Sequence, residues 1–218
     1  MDLFPLLLTI KVSVVATVIT VAVGLVIALV LARRNFVGKN VVDALIMQPL
    51  VIPPTVLGYY LLTLLGRSSG LGRFLEDVLG VQIVFTWKGA VIAACISSLP
   101  LFIKPARAAI EGVGREVEDA ARLLGKTEPQ VLRTITLPLA WRGIVAGTVM
   151  AFARATGEFG ATLMVAGNIP GLTQTLPIAI YDAVQIGDSA SANLMVAIIT
   201  LFSFLVLYIA GRFSESKF

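Results

Sequence analysis

The amino-acid sequence predicts an all-α integral membrane protein, with about five transmembrane helices and one large polar helix–turn–helix loop in a single domain over 1–218. Three observations predict it. Hydrophobic residues make up 57% of the chain and charged residues 14%, where a soluble domain carries about a quarter charged. The mean hydropathy is +0.93. Four charge-poor stretches are each long enough to cross a hydrocarbon core of roughly 30 Å, and much of the remaining charge falls in one stretch between them.

Taken in order, the first span is expected over 12–32, rich in Val and Ala and free of charge. Residues 1–10 lack a basic start and a small-residue cleavage site, so the span reads as retained rather than as a signal peptide. The second span, 44–65, holds Pro49, Pro53 and Pro54. Proline removes a helix hydrogen bond and clashes with the preceding turn, so this helix must kink or break. Inside a membrane a break is tolerated where neighbours or water satisfy the freed carbonyls. Pro53, Pro54 and Thr55 are therefore path candidates, with a static kink as the alternative. The 66–80 stretch reads as a glycine-rich outer turn with a short helix. The third span, 81–103, carries only Lys88, near an end where it can snorkel.

A polar loop over about 104–140 comes next, and its core is 119–138. Val117, Ala121 and Leu124 fall at helical spacing on a charged helix, Gly125 stands where a left-handed C-cap would sit, and Thr127 with Gln130 reads as a capping box. Pro129 suits a first turn. Val131, Leu132 and Ile135 make a second apolar face, and Pro138 is expected to separate the unit from the fourth span. The unit reads as a docking knob, or alternatively as an amphipathic hairpin on the membrane surface. Gly125-Lys126-Thr127 imitates the end of a phosphate-binding loop, but that pattern needs glycine where Ala120 stands. The chain itself is expected to hydrolyse no nucleotide. It has no histidine and one cysteine, so His-based catalysis, a His-ligated metal and an intrachain disulfide are excluded.

The knob carries a resemblance. Asp119-Ala120-Ala121, Gly125 and Ile135-x-Leu137-Pro138 occur at the spacing of the EAA loop of bacterial ABC-importer permeases, with Asp in place of the usual Glu. The resemblance implies a type I ABC-importer permease fold in which this loop inserts a short helix into a groove of a cytoplasmic ATPase, so Asp119, Ala120, Ala121, Gly125, Ile135, Leu137 and Pro138 become coupling residues.

The fourth span, 143–166, opens with Gly143, Gly147, Ala151 and Ala155, small residues every fourth position that let another helix approach closely, one from a homodimer partner included. It also holds Arg154 and Glu158, placed by a continuous helix roughly 18 and 24 Å above Arg142. Charges at such depth usually face a cavity or the bundle interior. The pair is a path or gate candidate, and a self-neutralising ion pair is the alternative. A fifth span is expected over 190–211. Arg33, Arg34, Lys39, the basic residues of the knob, Arg212 and Lys217 all fall on one side, against Arg67 and Arg73 on the other. This bias puts the N-terminus outside, the C-terminus inside and the knob in the cytoplasm. It also accounts for the net charge of +4 without nucleic acid.

From Thr156 onward, TGEFGATLMVAGNIPGLTQTLPIAIY resembles molybdate ABC-transporter permeases and, less closely, sulfate permeases; QPLVIPPTVLGYYLL resembles the same group. The resemblance implies a lipid-embedded homodimer in a bacterial or archaeal cytoplasmic (inner) membrane, translocating molybdate. Its implied partners are two ABC ATPase subunits, which use ATP and Mg2+, and a periplasmic or extracellular oxyanion-binding protein. No cofactor or metal is expected on this chain. Tungstate or sulfate is the alternative cargo. A proton-coupled secondary carrier using Glu158 is a third reading, against which stands the absence of an evident inverted repeat; a non-transporting scaffold is a fourth.

Overall fold

The computed structural model describes residues 2–215, with side chains from 2 to 208. The Arg212 side chain and Lys217, both used for the expected orientation, lie outside the described residues, as does the side-chain detail of 209–211 in the fifth expected span. Every regular element described is helical.

The first helix, α1 (Phe4–Arg33), begins well before residue 12. Pro5 sits in its first turn, where its missing N–H costs nothing. Lys11 is absorbed because its ammonium lies 3.9 Å from the centre of the Trp87 ring, a cation–π contact. Thr9, Ser13 and Thr17 return their hydroxyls to carbonyls one turn back at 2.7–2.8 Å, so these buried polar groups are satisfied.

The stretch 44–65 is two helices, α2 (Lys39–Val51) and α3 (Pro54–Leu65), bent by 112°. Two consecutive prolines remove two donors, and Ile52, preceding the first, is extended with ψ 141°, as a residue before proline prefers. Pro49 stays inside α2 without ending it. Arg107 ties α2 to the third long helix through Asp43 at 2.8 Å. On the far side of α3 come the short α4 (Gly70–Arg73) and a π-helical turn, Phe74–Val78.

The long central helix, α5 (Trp87–Glu111), starts later than residue 81 and runs through Pro100 and Pro105 to Glu111, so no separate helix leads into the knob. Next come α6 (Arg115–Leu123), α7 (Glu128–Val131), a second π-helical turn at Leu132–Thr136 and α8 (Leu137–Thr156). Two sequence expectations are corrected here. Pro138 does not separate the knob from the next span: Glu128–Thr156 is one helical run of 29 residues. The wide turn just before Pro138 bonds the Leu137 N–H to the Leu132 carbonyl, five residues back, and a turn already out of α-register accommodates a residue without an N–H. The expected span 143–166 is also not one helix. It breaks after Thr156, at Gly157, and resumes as α9 (Gly160–Ala166). Then α10 (Leu176–Gln185) and α11 (Ser189–Glu215) close the described chain. Among the described residues, four helical runs are long and apolar enough to cross a membrane, or five if the bent α2–α3 pair counts as one span.

The core is a three-helix layer of α1, α5 and α8. Phe102, Ile103, Ala106 and Ile110 of α5 are fully buried against Ala28 and Leu31 of α1 and Ala140 and Ala151 of α8. The Gly143–Gly147–Ala151–Ala155 stripe is spent within the protomer rather than on a homodimer contact. A Cβ on Gly143 would collide with that of Ala109, and one on Gly147 would stand 2.8 Å from the Phe102 carbonyl. The broken pieces α3 and α9 pack on each other beside this layer, with Gly58 against Ala161 and Met164.

Candidate functional site

Two places gather the polar residues, and one helical run joins them. The first is the knob. Gly125 has φ +85°, a conformation L-residues rarely adopt. The Gly125 N–H donates to Arg122 O at 2.9 Å and the Lys126 N–H to Ala121 O at 3.1 Å, the paired bonds of a Schellman cap. Gln130 Oε1 accepts from the Thr127 N–H at 2.8 Å, the return arm of a capping box. Arg122 donates to Asp119 and to Glu128, each at 2.6 Å, clamping α6 to α7. Those bonds, from Glu128 first and then Asp119, push the Arg122 pKa still higher.

The knob's apolar residues divide in a way the helical spacing did not anticipate. Ala121 and Val131 turn inward and are buried, whereas Leu123 and Leu124 are 89% and 85% exposed. Val117 is also exposed, so the anticipated stripe through Val117, Ala121 and Leu124 does not form one buried face. Asp119 is exposed with Ala120, while Ile135 and Leu137 are half-buried and Pro138 is exposed. An open cleft of about 560 Å³ separates the knob from the end of α1.

Glu118 is the residue that sequence reasoning missed. Its side chain is 4% exposed; its Oε1 accepts from Arg33 Nη2 of α1 at 2.5 Å and from Thr136 Oγ1 at 2.6 Å. One buried carboxylate thus joins α1, α6 and the π-helical turn within the Glu128–Thr156 run. A glutamate beside Asp119 on a charged helix gives no sequence signal of burial, although a position three before Ala121 shares that residue's inward face.

The second place is the pair of helix breaks. A cavity of about 310 Å³ is lined by Pro54 and Thr55 at the start of α3, by Arg154 in the last turn of α8, and by 157–160 at the start of α9. The structure therefore brings Pro54, Thr55, Arg154 and Glu158 together, although a hundred residues of sequence separate them. Pro53 stands at the bend itself, as the N-cap of α3, and does not line the cavity. A Cβ on Gly160 would come within 2.9 Å of Pro54, so the two breaks meet at a position only glycine fits. Arg154 and Glu158 do pair, Nη1 to Oε2 at 2.7 Å, but across the break rather than on one helix face. Glu158 Oε1 also accepts from the Ala161 N–H at 3.0 Å, capping α9. The Glu158 side chain is 1% exposed and that of Arg154 26%, leaving the guanidinium open to the cavity. Among the described residues no group of His, Cys, Asp and Glu is placed to hold a metal ion.

On the loop between α9 and α10, Asn168 donates to Asp182 at 3.1 Å and accepts from Gln174 at 2.8 Å, fixing the loop against α10.

Comparison with known proteins adds to this geometry. Residues 12–218 match the family model described as binding-protein-dependent transport system inner membrane component. The chain is 43% identical to the Molybdenum transport system permease protein ModB of Escherichia coli (strain K12), over 97% of this chain and 94% of that one. It is 38% identical to the Putative molybdenum transport system permease protein YvgM of Bacillus subtilis (strain 168), over 94% and 90%. It is 32% identical to the Sulfate transport system permease protein CysT of Salmonella typhimurium, over 92% and 72%. Among solved structures, a bacterial ABC transporter that imports the polysaccharide alginate superposes with a TM-score of 0.79 at 16% identity, over 99% of this chain and 80% of that one. The MetNI methionine ABC transporter superposes with a TM-score of 0.72 at 18% identity, over 97% and 94%. These two likenesses show the fold, that of a type I ABC-importer permease.

Proposed function

The chain belongs to the binding-protein-dependent transport system inner membrane component family, and from that premise we infer that it is the membrane-spanning permease subunit of an ATP-driven importer whose cargo is molybdate. It is a multi-pass inner-membrane protein that works with a separate ATPase and a substrate-binding protein. The likeness to molybdenum permeases over nearly the whole chain supports the cargo.

The observation that carries the coupling is the exposed Leu123–Leu124 tip, on a knob that leads into the helical run Glu128–Thr156, whose last turn holds Arg154. Two adjacent leucines in water are unfavourable unless a partner covers them. In this reading they enter a groove of the cytoplasmic ATPase, with Asp119, Ala120, Ala121 and Gly125 shaping the entering turn and Ile135, Leu137 and Pro138 joining it to the span. The importer contains two copies of this chain and two ATPase subunits, embedded in lipid, with the N-terminus outside and the C-terminus inside. ATP and Mg2+ belong to the ATPase, and this chain holds no cofactor. The capping bonds of Gly125 and Lys126 support that reading, because N–H groups given to helix carbonyls are not free to cradle phosphate. The α3–α9 cavity, with Pro54, Thr55, Arg154 and Glu158 in its wall and Pro53 at the bend, lies on the translocation path.

The test is uptake of radiolabelled molybdate into proteoliposomes that contain this chain, its ATPase and its binding protein. Uptake is expected only with internal ATP. Gly125→Val forces a β-branched residue into the left-handed region, at a cost of roughly 1–2 kcal/mol; it is expected to abolish uptake and ATPase co-purification while membrane insertion persists. Uptake without ATP would replace the importer reading with a carrier centred on Glu158. Competition by sulfate or tungstate in the same vesicles orders the three oxyanions.

A further inference from the structure

We propose that Arg154 is a transient oxyanion site inside the membrane and that Glu158 is its built-in competitor, occupying the guanidinium while the path is empty; this rests on the importer reading above. The pair is more than a neutralised charge. Arg154 is the only Lys or Arg between Gly143 and Gly211, and its guanidinium borders a cavity of about 310 Å³, room for several waters at about 30 Å³ each. Glu158 holds one carboxylate oxygen on the Ala161 N–H at 3.0 Å and brings the other to 2.7 Å from Arg154, an ion pair without hydrogen-bond alignment. A guanidinium is a donor that a tetrahedral oxyanion takes. The carboxylate therefore sits where a cargo oxygen would be received.

A lone arginine in a low-dielectric cavity would bind a dianion tightly and stall it, since conduction requires a site that also lets go. A carboxylate already on the guanidinium weakens the site twice. It cancels the net charge that would trap the anion, and it re-forms the pair as the anion leaves. Arg154 retains unused N–H donors, so the cargo can be received before Glu158 swings aside. Each side chain can change partners without leaving its own helix end.

The test measures molybdate uptake kinetics in the same reconstituted complex. Glu158→Gln preserves an oxygen for the Ala161 N–H but removes the competing charge. It is expected to lower KM and kcat together by about threefold or more, the signature of tighter holding. Arg154→Gln is expected to raise KM and to lower kcat by about tenfold, with Arg154→Lys recovering part of the loss. A purely structural pair predicts that both single variants move KM alike, and that outcome would overturn the proposal. Should either single variant fail to fold, the charge-neutral double variant Arg154→Gln/Glu158→Gln still decides: uptake like Arg154→Gln supports the site, and wild-type uptake removes it. Absence of ATP-driven uptake in the unmodified complex would instead sink the importer reading itself.

Discussion

Neighbouring carboxylates Glu118 and Asp119 illustrate how much one helical step changes a side chain's work. The Glu118 side chain is 4% exposed and bonded to Arg33 and Thr136, whereas that of Asp119 is 66% exposed and shares Arg122 with Glu128. Removing one partner of a buried hydrogen-bonded pair leaves the other uncompensated, while an exposed pair contributes little. Glu118→Ala is therefore expected to destabilise the protein by roughly 1–3 kcal/mol, and Asp119→Ala by less than about 0.5 kcal/mol. Thermal unfolding in detergent checks the difference. Equal losses would remove the anchoring role of Glu118. The sequence made Asp119 conspicuous, because it stands in a spaced motif; it left Glu118 silent, because burial of a charge depends on an arginine 85 positions away.

At the scale of elements, the small-residue stripe on α8 makes its contact with α5. Gly147→Val places methyl groups where the Phe102 carbonyl stands 2.8 Å from a bare Cβ. Overpacking of this kind typically costs about 1–3 kcal/mol. The variant is expected to melt earlier while keeping the copy number of the wild-type complex in mild detergent, read by native mass spectrometry. A lower copy number at unchanged stability would return the stripe to a contact between protomers. The presence of helices was legible in the sequence because apolar runs of about twenty residues have few other fates. Their ends were not. Pro53 and Pro54 act as a pair and break the run, whereas Pro100, Pro105 and Pro138 each sit inside continuous helix. The π-helical turn ahead of Pro138 is a backbone adjustment that residue types do not encode locally. The break at Gly157–Glu158 was missed for a related reason: glycine within a membrane helix is common, and only packing against Pro54 reveals why the helix stops there.

For the whole molecule, the distribution of basic residues makes a prediction about sides. In a Cys95→Ser background, Leu172→Cys on the loop between α9 and α10 is expected to react with an impermeant maleimide on spheroplasts. Leu123→Cys at the knob tip is expected to react only after permeabilisation. The reverse pattern would invert the molecule in the membrane. Membrane character, the polar helix–turn–helix unit and the charged pair were all readable from one sequence. The cavity was not, because Thr55 and Arg154 meet only through the packing of α3 on α9.

The uninterrupted run from Glu128 to Thr156 also has a mechanical meaning. Its tightest contact with α5 is at Gly143, where a Cβ would stand 2.3 Å from that of Ala109, so Gly143 can serve as a fulcrum. The arm from there to Glu128 is about 22 Å, and the arm to Arg154 about 16 Å. A sideways push of about 3 Å on the knob then arrives at Arg154 as about 2 Å, with the force multiplied in proportion. Such a stroke suffices, since an ion pair at 2.7 Å lengthened by about 2 Å is out of salt-bridge range. The gearing trades travel for force, at the end of the beam where an ion pair has to be pulled apart.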